Sequence, residues 1–203
     1  MPVWIQDIII PTVELIQAGG VVMIPLICLS LIMWLLIIER AFFFRRLYRR
    51  NMTARTALSL IRQDQMPETT RYRGAVSLLV TEFINSRTGN RQLDRHLLDA
   101  SVARINRRLS RFLAIIGVLA AMAPLLGLLG TVTGMITTFD VLAVFGTGNA
   151  KAMAGGISQS LITTQTGLIV AIPGLYMKGF LDRRADTLGQ RILRVGLFLK
   201  RHV

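Results

Sequence analysis

Hydrophobic positions in this chain are pooled rather than spread periodically. Three blocks stand out: Ala18–Ile38, Phe112–Phe139 and Ile157–Leu181. The first two carry no charge, and the third carries only Lys178, close enough to one end to snorkel out. At a rise of about 1.5 Å per residue, each block is long enough to cross a hydrocarbon core about 30 Å thick. The pattern predicts an all-α membrane protein with three transmembrane helices, over 18–38, 112–139 and 157–181. The segments between the blocks also read as helical. Residues 1–17 set Trp4, Ile5, Ile8, Ile9 and Leu15 against Asp7, Glu14 and Gln17, an amphipathic helix lying on a membrane surface. Leu93, Leu97, Leu98, Val102, Ile105, Leu109 and Phe112 recur at helical spacing and lead straight into the second span. That run predicts one long helix whose end is span two. Loop signals at Met66-Pro67-Glu68 and Arg87-Thr88-Gly89-Asn90 divide the segment 39–111.

Charge orients these spans. The 203-residue chain has a net charge of +13, very unevenly placed. Residues 1–39 hold no Lys or Arg and the loop 140–156 holds only Lys151, whereas 40–111 holds sixteen arginines and the tail 182–203 adds six basic residues. Basic residues stay on the cytoplasmic side, so the N-terminus is expected outside, with a helical bundle in the cytoplasm and a short tail beside it. With no basic residue before Arg40 and a first span too long for an h-region, a cleaved signal peptide is not expected. The arginines are accounted for by topology and by attraction to anionic lipids. No zinc, helix-turn-helix or ribonucleoprotein pattern accompanies them, which argues against a nucleic-acid partner.

Other chemistry has little to build on. Cys28 is the one cysteine and sits in an apolar block, where a buried, inert thiol is expected. His96 and His202 are far apart, so no metal site is expected. The glycine-rich run 127–134 lacks the Lys-Ser/Thr of a phosphate loop, and no nucleophile stands beside a base. Neither enzymatic activity nor a cofactor is expected.

The spans themselves differ. Span one is bulky on nearly all sides. Span two places Ala120, Pro124, Gly127, Thr131, Gly134 and Thr138 at steps of 4, 3, 4, 3 and 4, all on one face. Span three repeats this with Ser160, Thr164, Gly167, Ala171 and Gly174. Small-residue seams let helices approach closely, and Gly130–Gly134 adds a GxxxG pair. Counted from the outer ends, Thr131 and Thr164 come at similar depths, as do Pro124 and Pro173. Hydroxyls on a seam can hydrogen-bond to water in a narrow pore. Neither span two nor span three contains Asp or Glu, so a titrating carboxylate would come from a partner.

The stretches APLLGLLGTVTGMITTF (Ala123–Phe139) and MAGGISQSLITTQTGLIVAIPGL (Met153–Leu175) resemble the signature of the ExbB/TolQ/MotA proton-channel family. Three spans and a large cytoplasmic loop resemble the ExbB/TolQ branch. The resemblance implies a bacterial inner-membrane protein with a periplasmic N-terminus. It also implies a homopentamer whose second and third spans line a pore, and a single-span ExbD-like partner whose aspartate occupies that pore. A TonB-like protein would carry the resulting motion to the outer membrane. It matches Thr131 and Thr164 to the family's pore threonines; Gly127, Gly134, Thr138, Ser160 and Gln159 are expected to line the same proton path, and Pro124, Gly130, Gly167 and Pro173 to pack the helices. Many ExbB-type sequences have glutamate where this chain has Gln159, which shifts the acid's role further toward the partner. The expected function is an ExbB-like subunit of a proton-driven motor. A TolQ-like subunit of the Tol-Pal envelope system and a non-conducting scaffold stand as alternatives.

Overall fold

The computed structural model describes residues 18–48, 52–67, 74–146 and 149–202. They form six helices and, among the described residues, no strand: α1 (Met23–Tyr48), α2 (Ala54–Arg62), α3 (Ala75–Ser86), α4 (Arg91–Ser110), α5 (Leu113–Phe145) and α6 (Ala150–His202). The amphipathic helix expected over 1–17 lies outside the described residues. Helices α1, α5 and α6 each contain a stretch apolar and long enough to cross a membrane. The chain is a multi-pass membrane protein.

The long helices outrun the apolar blocks. Helix α5 continues past Phe139 to Phe145 and α6 begins at Ala150, so most of the segment expected as a loop over 140–156 is helical. Nothing in Asp140–Phe145 breaks a helix; the chain turns at Gly146, whose φ of +64° glycine adopts without strain. Asn149 then caps α6, its side-chain oxygen accepting from the Ala152 N–H at 3.2 Å.

The chain divides into two compact units. The first comprises the described residues up to Leu36 together with Ile115–Met177. Its centre is Leu29, Ala123 and Ala171, with Leu119, Leu126 and Val170 packed around them. Gly174 lies where an added Cβ would meet Met33 and Ala120, so α1 approaches the α5–α6 pair closely there. Outward-facing positions of this unit are apolar: Leu35 is 67% exposed, and Leu125, Leu161, Ile169 and Ile172 are similarly open. Such a belt is stable in hydrocarbon and not in water. Cys28 belongs to this outer face and is exposed, not buried as expected, because α1 turns its core side inward through Leu26, Leu29 and Met33.

The second unit comprises Ile37–Ala114 and Lys178–Val203. Phe44, Ile61, Leu79, Phe83, Leu98, Ile105, Leu109, Leu188, Ile192 and Leu199 form its buried apolar set. Of the α4 stripe, Leu98, Val102, Ile105 and Leu109 are buried, whereas Leu93 at the helix start is 47% exposed. Charged pairs tie the helices at the rim: Arg104 to Glu82 at 3.0 Å, and Lys200 to Asp99. Val102 lies against Gly196, which has no side chain to hold it off.

One long helix running from 91 into span two is not observed. It is interrupted at Arg111–Phe112, where Phe112 has φ +67°, a left-handed conformation costing a non-glycine residue about 1–2 kcal/mol. Arg40 of α1 holds this junction. Its guanidinium lies 4.8 Å from the Phe112 ring centroid and 5.0 Å from that of Phe43, and its Nη1 donates to the Arg108 carbonyl at 3.2 Å. Each cation–π contact contributes about 0.5–2 kcal/mol, enough together to offset the strain. Arg111 stacks on the same ring at 4.6 Å.

A second polar node closes the turn between α3 and α4. Asp94, 2% exposed, accepts from the Thr88 N–H at 2.8 Å and from Thr88 Oγ1 at 3.0 Å, with Arg87 Nε 3.5 Å away. Burial by itself would raise this carboxyl. Hydrogen bonds from Thr88 and Gly89, together with the Arg87 charge, outweigh it and hold the group below its ordinary range. A depressed folded-state pKa gives stability that is present above the unfolded value of about 3.9 and is lost as pH falls through the folded value. Asp94→Ala is expected to lower stability by about 2 kcal/mol at pH 7 and to blunt the acid-induced decline below about pH 4. Unfolding curves in detergent across pH would check this; identical curves for both proteins would refute the assignment.

Candidate functional site

The two small-residue seams meet each other within one chain. Helices α5 and α6 run antiparallel, and their glycines stand at the contact. A Cβ added to Gly127 would lie 3.1 Å from the Thr163 carbonyl oxygen and 3.2 Å from Thr164 Cα; one on Gly167 would lie 2.7 Å from the Ala123 carbonyl oxygen. At Gly134 it would run into Ser160 Oγ and lie 2.7 Å from the Gly156 carbonyl oxygen, and at Gly130 it would collide with Thr163. The partners at most of these points are backbone atoms, which cannot swing aside. Glycine is thus required here for close approach.

Hydroxyls line the same contact and are satisfied largely by helix carbonyls. Ser160 Oγ shares its one proton between the Thr131 carbonyl at 3.2 Å across the seam and the Gly156 carbonyl at 3.0 Å within α6. Thr164 Oγ1 similarly has the Gly127 carbonyl at 3.3 Å and the Ser160 carbonyl at 3.2 Å. Thr138 Oγ1 bonds the Gly134 carbonyl at 3.0 Å and is buried. Thr131 is half-buried, its Oγ1 donating to Leu128 O at 2.6 Å. A hydroxyl returned to its own helix is the usual way to place Ser or Thr in an apolar setting.

The register corrects one expectation. Thr131 stands level with Ser160 and Thr164 level with Gly127, so the two threonines are offset by about one turn, roughly 5 Å, rather than sharing a depth. Counting inward from the ends of the apolar blocks fails because the helices themselves extend beyond those blocks. Pro124 and Pro173 lie inside continuous helices. The Gln159 side chain packs on Gly20, whose φ is +67° and whose missing Cβ leaves space for the Gln159 amide. Thr163, fully buried against Gly130, and Gly156, against Thr138, are seam members that the spacing argument passed over. Thr163 adjoins Thr164 and Gly156 stands one turn before Ser160, so widening the stripe by one residue and lengthening it by one turn would have found both.

No carboxylate belongs to this seam. Asp140, on the next turn after Ile136, is the nearest acid along α5. The arrangement offers carbonyls, hydroxyls and close backbone packing, but nothing that stores a proton.

Comparison with known proteins follows the same lines. Residues 46–193 match the MotA/TolQ/ExbB proton channel family. The chain is 34% identical over 163 residues to the ExbB-like 1 biopolymer transport protein of Synechocystis, covering 76% of this chain and 64% of that protein. It is 32% identical over 166 residues to the ExbB-like 3 protein of the same organism, covering 78% and 79%. It is 27% identical over 179 residues to the biopolymer transport protein ExbB of Salmonella typhimurium, covering 82% and 73%. The matched region thus spans a little under two thirds of the first of these relatives. With its three apolar helices, its α5–α6 glycine seam and these matches over most of its length, the chain belongs to the MotA/TolQ/ExbB proton channel family, on the ExbB side.

Proposed function

We propose that this chain is the ExbB-like subunit of a proton-driven motor in the bacterial inner membrane. It assembles as a homopentamer around ExbD-like single-span partners and passes motion to a TonB-like protein. The observation that carries this reading is the α5–α6 seam, rich in hydroxyls and devoid of acids. A proton path needs a group that titrates, and a buried carboxylate on a partner helix supplies it. Thr131 and Thr164 are the residues of this chain that serve the path, while Gly127, Gly130, Gly134 and Gly167 hold the helices that present them. Gln159, an amide packed against Gly20, holds no proton. Arg45, Arg46 and Arg111, exposed on the second unit, meet anionic lipid headgroups, with that unit in the cytoplasm.

The test is reconstitution into liposomes with a co-expressed ExbD-like partner, following proton entry under a potassium-diffusion potential with an internal pH dye. The chain alone should leave vesicles tight. The complex should conduct, and replacing the partner's aspartate with asparagine should stop it. Conduction by the chain alone, or a complex unaffected by that replacement, would overturn the reading.

A further inference from the structure

Asp186 stands apart among the charges of the second unit. The chain carries 24 basic residues against 11 acidic ones, so an acid has many opportunities to pair. Among the described residues, Glu39, Asp64, Glu82, Asp94, Asp99 and Asp182 all do. Asp140 and Asp186 do not. Asp186 lines two adjoining clefts on α6, one of about 390 Å³ beside α4 and one of about 320 Å³ beside the start of α5, which also share Ser110 and Ala185. The one cation lining them among the described residues, Lys178 in the smaller cleft, is already paired with Asp182 at 2.7 Å. Asn106 lines the larger of them, and its Oδ1 is buried with no hydrogen-bond donor. Gly189 lets that oxygen pack close against α6: an added Cβ there would lie 3.1 Å from it. The groove therefore holds an exposed carboxylate and an under-used amide on a strongly basic chain.

We propose that this groove receives an arginine from a second copy of the chain, and that the arginine is Arg107. This rests on the reading that the chain assembles with copies of itself. A guanidinium has five N–H donors and suits a carboxylate beside an amide. Copies that cross one membrane in the same direction are related by an axis normal to it, so a residue of one copy meets the next copy at its own level. Arg107 follows Asn106 directly and is therefore at the level of the groove. It lies on the side of α4 opposite buried Leu98 and Ile105, is exposed, and makes no ion pair among the described residues. A groove on one side and a cation on another form a head-to-tail contact, which closes into a ring.

Two experiments on the full chain in native membranes test this. In a Cys28→Ser background, copies carrying Asp186→Cys and differently tagged copies carrying Arg107→Cys should form a mixed disulfide-linked dimer on mild oxidation, and neither alone should give it. Separately, Asp186→Arg should reduce recovered oligomer about tenfold, equivalent to about 1.4 kcal/mol. Combining it with Arg107→Asp should restore the yield. No mixed dimer, a wild-type yield for Asp186→Arg, or failure of the double exchange would each overturn the proposal. If the unaltered chain is oligomeric in these outcomes, only the groove is refuted; if it is monomeric, the homo-oligomer reading falls as well.

Discussion

Gly134→Leu is expected to prevent accumulation of the folded protein, whereas Gly155→Leu leaves it near normal. Both glycines sit on the paired helices, but their surroundings differ. At Gly134 even a methyl group would press on the Gly156 carbonyl at 2.7 Å and the Ser160 nitrogen at 2.9 Å; at Gly155 nothing lies within 4 Å. Overpacking against side chains costs about 1–3 kcal/mol, and here the neighbours are backbone, so the helices must part and release the Ser160–Thr131 bond as well. That is a large share of the 5–15 kcal/mol by which a domain is held. At Gly155, leucine brings a gain of up to about 1 kcal/mol in helix propensity. Size-exclusion profiles of detergent-extracted protein would decide. Equal monodisperse yields for the two variants would mean that α5 and α6 do not pack through these glycines.

On the function proposed above, the paired substitution Thr131→Val, Thr164→Val is expected to cut proton-driven uptake by about tenfold or more while the proposed complex still assembles, corresponding to at least about 1.4 kcal/mol on the transport step. Valine keeps the branched shape and removes the hydroxyl. For packing, the loss is small: Thr131 gives up a bond to its own helix at Leu128, and Thr164 gives up weak bonds to Gly127 and Ser160, about 1 kcal/mol each. A hydroxyl that hydrogen-bonds to water or to a partner's acid during proton transfer has no substitute in valine. Gln159→Ala should do less, since that side chain points to Gly20. The measurement is uptake of a TonB-dependent substrate in a strain relying on this subunit, with complex yield determined in parallel. Wild-type uptake by an assembled double variant would reduce both threonines to packing residues and favour a scaffold.

These two expectations draw on different levels of information. That Gly127, Gly134, Thr131 and Thr138 share one face of α5 was legible in their spacing, because an α-helix repeats every 3.6 residues whatever surrounds it. Which surface that face meets was not legible. The same stripe would serve equally well between copies, and only the folded chain brings it against Ser160, Thr163 and Gly167 of α6. Register is a property of a pair of helices, so the one-turn offset of Thr131 from Thr164 could not be counted from either helix alone.

What the amino-acid order determined by itself is the number of spans and their helical state. Hydrocarbon leaves no water for a backbone amide, so an apolar block of this length has to close its own hydrogen bonds. The glycine and hydroxyl faces followed from periodicity in the same local way. The tertiary structure decided everything that depends on a distant residue. Phe112 is apolar and continues a helical stripe, yet the helix breaks there, because Arg40, more than seventy residues earlier, stacks on its ring and holds the Arg108 carbonyl. Cys28 reads as core and turns outward, because the inward side of α1 was already taken by Leu26, Leu29 and Met33. Asp94 is charged and yet buried, because the Thr88 turn folds back onto it. In each case the local pattern named a residue's chemistry, and long-range packing, whose partners no periodicity encodes, decided what that chemistry touches.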